Sequence, residues 1–297
     1  MNPLFDSNPI DKLVNIKKMK RILVPCDFSK PAQEAYQFAI ELAGANHSEV
    51  IVMKAIDLPV LYEGPIIGET YVFDPPVMVE LEAEAKKEFE HLQKIHAGAN
   101  VKSTFIVRHG SVASMIRKTI EDMKPDLVIM GTHGASGWAE YLIGSNTEKI
   151  VRHSKVPVLA IRKAPHVAGI KNIVLPTSLE LDQHEFMAKI KELQSLFRAT
   201  LHIVVINTPY NLKRSIDEQE LLQKYTQHYK LKDFTLNTRN GFDESEGIIQ
   251  FAQEIKADLL VMATHARKGL AHFISGSVAE DVVNHIDCPI WTFSLGK

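Results

Sequence analysis

Two cysteines in 297 residues, Cys26 and Cys288, are too few and too far apart for a disulfide framework, which excludes the small cross-linked secreted class. Each lies at the end of an apolar run, where a cysteine packs as a small apolar side chain, and a reducing compartment is expected. Charge of one sign is not in excess either. The formal net charge is −2 with 24% charged residues, so there is no global basic field to hold nucleic acid or an anionic membrane. The short run Lys17, Lys18, Lys20, Arg21 reads as a solvated approach to a strand. Apolar stretches of about 18 residues are missing, and "MNPLFDSNPIDKL" lacks the apolar centre of a signal peptide. A cytoplasmic chain without nucleic-acid or membrane partners is the expectation. The histidines and cysteines show no H-E-x-x-H or C-x2-C spacing, so no metal site is expected, and no catalytic triad can be assembled from motifs.

What is present is a repeat. The length suits two domains of about 150 residues, and the 45% hydrophobic content is enough for a sizeable core. "KRILVPCDFS" at 20–29 returns as "KNIVLPTSLE" at 171–180, and "VIVMKAIDLP" at 50–59 as "LHIVVINTPY" at 201–210. "IVRHGSVASMIRKTIEDMKPDLVIMGTHG" returns as "NTRNGFDESEGIIQFAQEIKADLLVMATHA", and "GSNTEKIVRHSKVPVLAI" as "GSVAEDVVNHIDCPIWTF". Four blocks recurring in one order define two homologous domains, expected at 1–165 and 166–297 on either side of an irregular stretch with Pro165 and Gly169. Residues 60–80 form a long connection that the second half largely lacks. Its Pro65, Pro75 and Pro76 predict irregular backbone, and its Tyr62, Tyr71 and Phe73 are candidates either to cover a ligand or to pack on the other half.

Within each half short β-branched runs alternate with helical periodicity. "RILVP", "VIVMKAI", "VKSTFIV", "DLVIM" and "PVLAI" read as strands. "SKPAQEAYQFAIELAGAN", with Ser29 as N-cap, reads as a helix, as do "VELEAEAKKEFEHLQKI", "SVASMIRKTIEDM" and "NTEKIVRHS". Alternation of this kind predicts an α/β fold, a parallel sheet covered on both faces by right-handed crossovers. Ligands of such sheets bind beyond the carboxyl ends of the strands, where strand order reverses.

One loop reaches that edge with unusual chemistry. The strand "DLVIM" runs straight into Gly131-Thr132-His133-Gly134, and Gly144 and Ser145 follow at the start of a helix. Glycines permit close backbone approach, and Ser145, Asn146 and Thr147 offer hydroxyls, an amide and unpaired N–H groups at a helix N-terminus, a ready anion site. A tight turn followed by an N-cap is the plain alternative. Asp27, after the first strand, is placed at the same edge, where its carboxylate would accept from ribose hydroxyls or an adenine amino group, or would cap the next helix. In the second half Ala263 and Ala266 replace two glycines and Ser178 replaces Asp27, while Gly276 and Ser277 persist. His265 also persists, so His133 reads as structural. Lys54 and Lys149 are candidates to neutralise phosphate, although solvated lysines are commoner, and without a Walker lysine P-loop chemistry is disfavoured.

"ILVPCDFS", "MGTHGASGWAEYLIGS" and "VRHSKVPVLAI" in this order resemble the universal stress protein family, and the resemblance covers both halves. It implies two tandem Rossmann-like domains of the adenine nucleotide alpha hydrolase-like kind. Each would be a five-stranded parallel sheet sandwiched by helices, the two packed as a pseudo-twofold dimer. The family's ATP-binding branch carries Gly-x2-Gly-x9-Gly-(Ser/Thr), met here by Gly131, Gly134, Gly144 and Ser145. Carried over residue by residue, the nucleotide contacts fall on Pro25, Asp27 and Ala55, then on Met130, Gly131, Thr132 and Gly134, and at the phosphate end on Gly144, Ser145, Asn146 and Thr147. The resemblance implies a stress-response protein binding ATP, with or without Mg, in its first half. AMP, a cyclic nucleotide or another adenine nucleotide is equally compatible, and the second half is expected to bind weakly or not at all. The alternatives are a slow ATPase on the same site and an interaction scaffold without nucleotide. The second copy then serves as a built-in dimer partner, with "PVLAI" and "PIWTF" pairing across the pseudo-twofold and Trp291 and Phe293 packing the seam. A homodimer of the tandem chain stays open, though no strongly amphipathic surplus points to one.

Overall fold

The structure, a computed structural model, describes residues 19–57, 60–61, 70–71, 75–96, 100–132, 144–209, 218–264, 278, 282 and 285–295. In the first half the strands are β1 (Arg21–Pro25), β2 (Glu49–Ile56), β5 (Ser103–His109), β6 (Leu127–Gly131) and β7 (Val158–Ile161). A two-stranded antiparallel ribbon, β3 (Val60–Leu61) and β4 (Thr70–Tyr71), stands apart from them. In the second half they are β8 (Asn172–Pro176), β9 (Thr200–Asn207), β10 (Phe234–Asn240), β11 (Leu259–Thr264) and β12 (Ile290–Ser294). All ten main strands join one sheet in the order β10-β9-β8-β11-β12-β7-β6-β1-β2-β5. Each half is parallel throughout, and the halves meet where β12 pairs antiparallel with β7, placing Trp291 opposite Leu159. The two closing strands pair as their sequences suggest.

Helices cover both faces: α1 (Lys30–Asn46), α2 (Pro75–Ile95), α3 (Val112–Met123) and α4 (Ser145–His153) in the first half, α5 (His184–Phe197), α6 (Glu218–Tyr229) and α7 (Glu244–Glu254) in the second. The two faces are organised differently. On one, α1, α2, α5 and α6 share a single core that runs across the seam, from Phe38, Phe89 and Ile161 to Phe186, Tyr225 and Trp291. On the other, the layer under α3 and α4 and the layer under α7 are separate clusters. Antiparallel contact of two like sheets produces this arrangement, because a twofold perpendicular to the sheet leaves each face on its own side. Phe186 stacks near both Trp291 and Phe293, with ring centroids 6.1 and 6.3 Å away, so both aromatics pack the seam.

Local differences from the sequence reading have physical causes. Pro75 and Pro76 do not break the chain; they open α2, where a proline's missing N–H would have had no helical acceptor anyway. Ser29 is the N-cap residue of α1 but makes no side-chain cap bond, its hydroxyl being turned to Asp27. Asp243 does cap α7, accepting from the Glu246 N–H at 2.8 Å, with Glu244 and Glu246 in the first turn of the helix. That bond, with a second from Ser245, holds the Asp243 carboxyl below its ordinary range. His202 is half-buried and bonded on both ring nitrogens, to Thr235 and Asn172, and desolvation lowers its pKa. The side chains of Tyr62, Tyr71 and Phe73 lie outside the described residues.

Candidate functional site

Strand order in the first half reverses between β1 and β6, and the carboxyl ends of those strands border a cavity of ≈ 150 Å³. β1 delivers Pro25, Cys26 and Asp27 to its rim, and β6 delivers Met130 and Gly131. From the neighbouring β2 come Met53 and Ala55, two residues apart and so on one face of the strand. The start of α4 closes the far side with Gly144, Ser145, Asn146 and Thr147. Of the eleven residues singled out in the sequence, nine therefore line one cavity. Thr132 is buried behind it, its N–H donating to the Ile161 carbonyl at 2.9 Å. Gly134 and His133 lie outside the described residues, as do His265, Ala266, Gly276 and Ser277 of the second half.

Backbone and side-chain bonds fix this rim. The Gly144 N–H donates to the Thr132 carbonyl at 2.7 Å, so the residues on either side of 133–143 are held together. The Thr147 hydroxyl donates to the Gly131 carbonyl at 2.9 Å, tying the first turn of α4 to the end of β6. An α-helix leaves its first N–H groups without intrahelical acceptors, so those of Ser145, Asn146 and Thr147 border the cavity with the positive end of the helix dipole behind them. Asp27 Oδ1 accepts from the Ser29 N–H at 3.0 Å and the Ser29 hydroxyl at 2.5 Å. This local turn carries Phe28 into the left-handed region at φ 66°. A bulky residue there costs about 1–3 kcal/mol. Leu179, at the matching place in the second half, has the same φ of 66°, so the bend is inherited with the repeat although Asp27 is not.

Gly131 needs its missing side chain for a reason the sequence does not display. An added Cβ would stand 2.7 Å from the Pro31 carbonyl carbon and 2.8 Å from the Pro31 oxygen. The first turn of α1 thus packs directly on the end of β6, and helix contact, before any ligand contact, demands the glycine. In the second half α5 begins at His184, one turn later relative to its strand than α1 does, and there Ala263 is tolerated.

Among the described lining residues Asp27 carries the only ionisable group besides the Cys26 thiol, and no cationic side chain is among them. Lys54 alternates with Met53 and Ala55; its ammonium sits 3.3 Å from the Asp27 carbonyl and 5.2 Å from the centre of the Phe28 ring. Lys149 is exposed on α4. The Cys26 thiol is pushed up to about 12 by burial, which leaves it neutral and unreactive at ordinary pH. Sequence reading missed Cys26, Ala32, Met53 and Val112 in this lining. Strand alternation from Ala55 would have found Met53; Ala32 and Val112 enter only through the packing of α1 and α3. Among the described residues no group of three His, Cys, Asp or Glu side chains could hold a metal ion, and no helix is long and apolar enough to cross a membrane.

Fold and cavity together define a tandem doubly wound α/β protein with a crevice at the switch point of its first half. The model of the universal stress protein family matches residues 18–162 and again 169–294, and the chain belongs to that family. A universal stress protein of Methanocaldococcus jannaschii is 29% identical over 154 residues, 48% of this chain and 95% of that protein. A putative universal stress protein of Staphylococcus aureus is 26% identical over 166 residues, 54% of this chain and 94% of its own length. Among solved structures, a universal stress protein of Archaeoglobus fulgidus superposes with a TM-score of 0.71 at 18% identity, covering 93% of this chain and 98% of that one.

Proposed function

We propose that the first domain binds ATP or a related adenine nucleotide and that the chain acts as a cytoplasmic regulatory protein of the stress response. The observation that carries this reading is the convergence of Asp27, Ala55, Gly131 and the α4 N-terminus on one cavity at the switch point. The small Ala55 side chain, with Met53 and Met130 beside it, leaves an apolar slot suited to a flat base. Asp27 stands where a carboxylate would accept from ribose hydroxyls. Phosphates would be received by the N–H groups and hydroxyls of Ser145, Asn146 and Thr147, with the helix dipole supplying the positive field that lysine supplies elsewhere. Mg, if carried in, would arrive on the phosphates, since the described lining offers a single carboxylate. Ser178 in place of Asp27 leaves the second half without this carboxylate, and its role is to complete the sheet.

Titration calorimetry of ATP, AMP and cyclic AMP into the full chain tests the proposal, with Ala55→Leu as the variant that fills the slot. The expected result is one nucleotide per chain, lost in Ala55→Leu, with no ADP formed on prolonged incubation. Steady ADP formation by the parent chain would replace a binding protein with a slow ATPase. An absence of heat with all three nucleotides would sink the assignment.

A further inference from the structure

The two halves receive the chain in the same way. Asp126 accepts from the Lys20 and Arg21 N–H groups at 2.8 and 3.1 Å, and Asp258 accepts from the Lys171 and Asn172 N–H groups at 2.9 and 2.8 Å. Met19 thus corresponds to Ile170. Upstream of Ile170 the interdomain linker lies along α1 of the first half. The Ala164 N–H donates to Glu34 at 2.9 Å and the Val167 N–H to Glu41 at 3.1 Å, while the His166 ring meets Glu41 at 3.2 Å. Val167 and Ala164 pack on the shared core, and Ile170 is fully buried in it.

The pseudo-twofold turns α1 into α5, and the acidic pair recurs there: Glu185 and Glu192 occupy the repeat positions of Glu34 and Glu41. Beside Glu192 the surface opens into a crevice of ≈ 190 Å³, walled by Met19, Leu127 and Pro157 of the first half and by Leu196 and Trp291 of the second. One linker can fill only one of two equivalent crevices. The wall is mostly apolar, and Glu192 stands at the rim, accepting from the Lys189 ammonium of its own helix at 2.8 Å.

We propose that the second crevice is the seat of this chain's own residues 12–18, which precede Met19 as the linker residues 163–169 precede Ile170. In that register Ile16 takes the part of Val167, Asn15 that of His166 and Leu13 that of Ala164. An apolar side chain enters the wall of Leu127, Leu196 and Trp291, and the Ile16 and Leu13 N–H groups are matched with Glu192 and Glu185. The N-terminal segment is then a second strap, from the first half onto a helix of the second, mirroring the linker that runs from the second half onto a helix of the first.

Trp291 reports on this crevice. The sequence has two tryptophans, so Trp138→Phe in the full chain leaves Trp291 as the sole emitter. Adding Ile16→Asp is expected to move that emission to longer wavelength and to speed amide exchange at the C-terminal half of α5 by roughly tenfold, with far-ultraviolet dichroism unchanged. Ile16→Val is expected to match the parent. If the charged variant fails to fold, Ile16→Ser, with a smaller shift in the same direction, stands in for it. Parent-like emission and exchange in whichever variant folds would overturn the proposal. So would an emission that varies with protein concentration alongside dimerisation in the ultracentrifuge, which would assign the crevice to a second copy.

Discussion

Gly131 and Pro31 are in backbone contact: a Cβ on the glycine would lie 2.7 Å from the carbonyl carbon of the proline. The end of β6 and the start of α1 therefore set each other's position, and with it the width of the cavity between β1 and β6. Gly131→Ala forces one of two backbone segments to move and is expected to lower stability by about 1–3 kcal/mol. Ala263→Gly, where α5 starts a turn later, is expected to cost about 0.5–1 kcal/mol through strand entropy alone. Urea melts of both variants check the asymmetry; equal losses would show that the Pro31 contact is not the cause.

Asp27 links strand, turn and cavity, and its two bonds from Ser29 are ones an amide oxygen also accepts. Asp27→Asn keeps an acceptor for the Ser29 N–H and hydroxyl, so the melting temperature should stay within a few degrees of the parent. Nucleotide affinity is expected to fall about tenfold, since an acceptor-only carboxylate becomes a group that also donates. Parent affinity in calorimetry would remove Asp27 from the binding role.

Both cysteines are pushed up to about 12 by burial. A thiol raised in the folded state favours folding in its neutral form. Its contribution is complete below the ordinary thiol value of 9.0 and is lost as pH climbs from there toward about 12. Stability is thus expected to be flat in this respect up to pH near 9 and to fall above it, with Tyr225, also raised by burial, acting in the same sense. Iodoacetamide at pH 8 should leave the buried Cys26 unmodified in the folded chain, reach the half-buried Cys288 only slowly, and modify both after denaturation. Rapid labelling of the folded chain would contradict the burial.

A core that crosses the seam makes the halves one cooperative unit. Phe186→Ala removes the ring that meets Trp291 and Phe293 and is expected to cost about 3–5 kcal/mol. Calorimetry of the parent should show a single transition with equal calorimetric and van't Hoff enthalpies, and the variant should keep that shape at a lower temperature. Two resolved transitions would mean that the shared core does not couple the halves.

The repeat, the alternation of elements and the closing-strand pairing were legible because each is written in local period: Val158–Ile161 is apolar throughout, and Ile290–Ser294 carries Ile290, Trp291 and Phe293, as strands buried on both faces require. The candidate cavity residues were legible for a related reason, since turn glycines and helix-start hydroxyls stand together at one strand end, although a plain turn and N-cap use the same residues. What stayed hidden depends on distances between segments far apart in sequence. Nothing in "MGTH" says that Gly131 is needed for Pro31, and nothing in "CDFS" says that Phe28 turns left-handed. Nothing in the strand sequence says that the Lys54 ammonium lies at the Asp27 carbonyl and over the Phe28 ring.

The antiparallel ladder between β7 and β12 joins partners that already share a chain, so their encounter does not depend on how much protein the cell makes. Two separate copies would have to meet at each other's concentration, and identical copies would be bound to change together. Here each crevice can drift on its own while its neighbour stays in place at any dilution. A lone half with the substitutions of residues 172–294 would have no such guarantee of company.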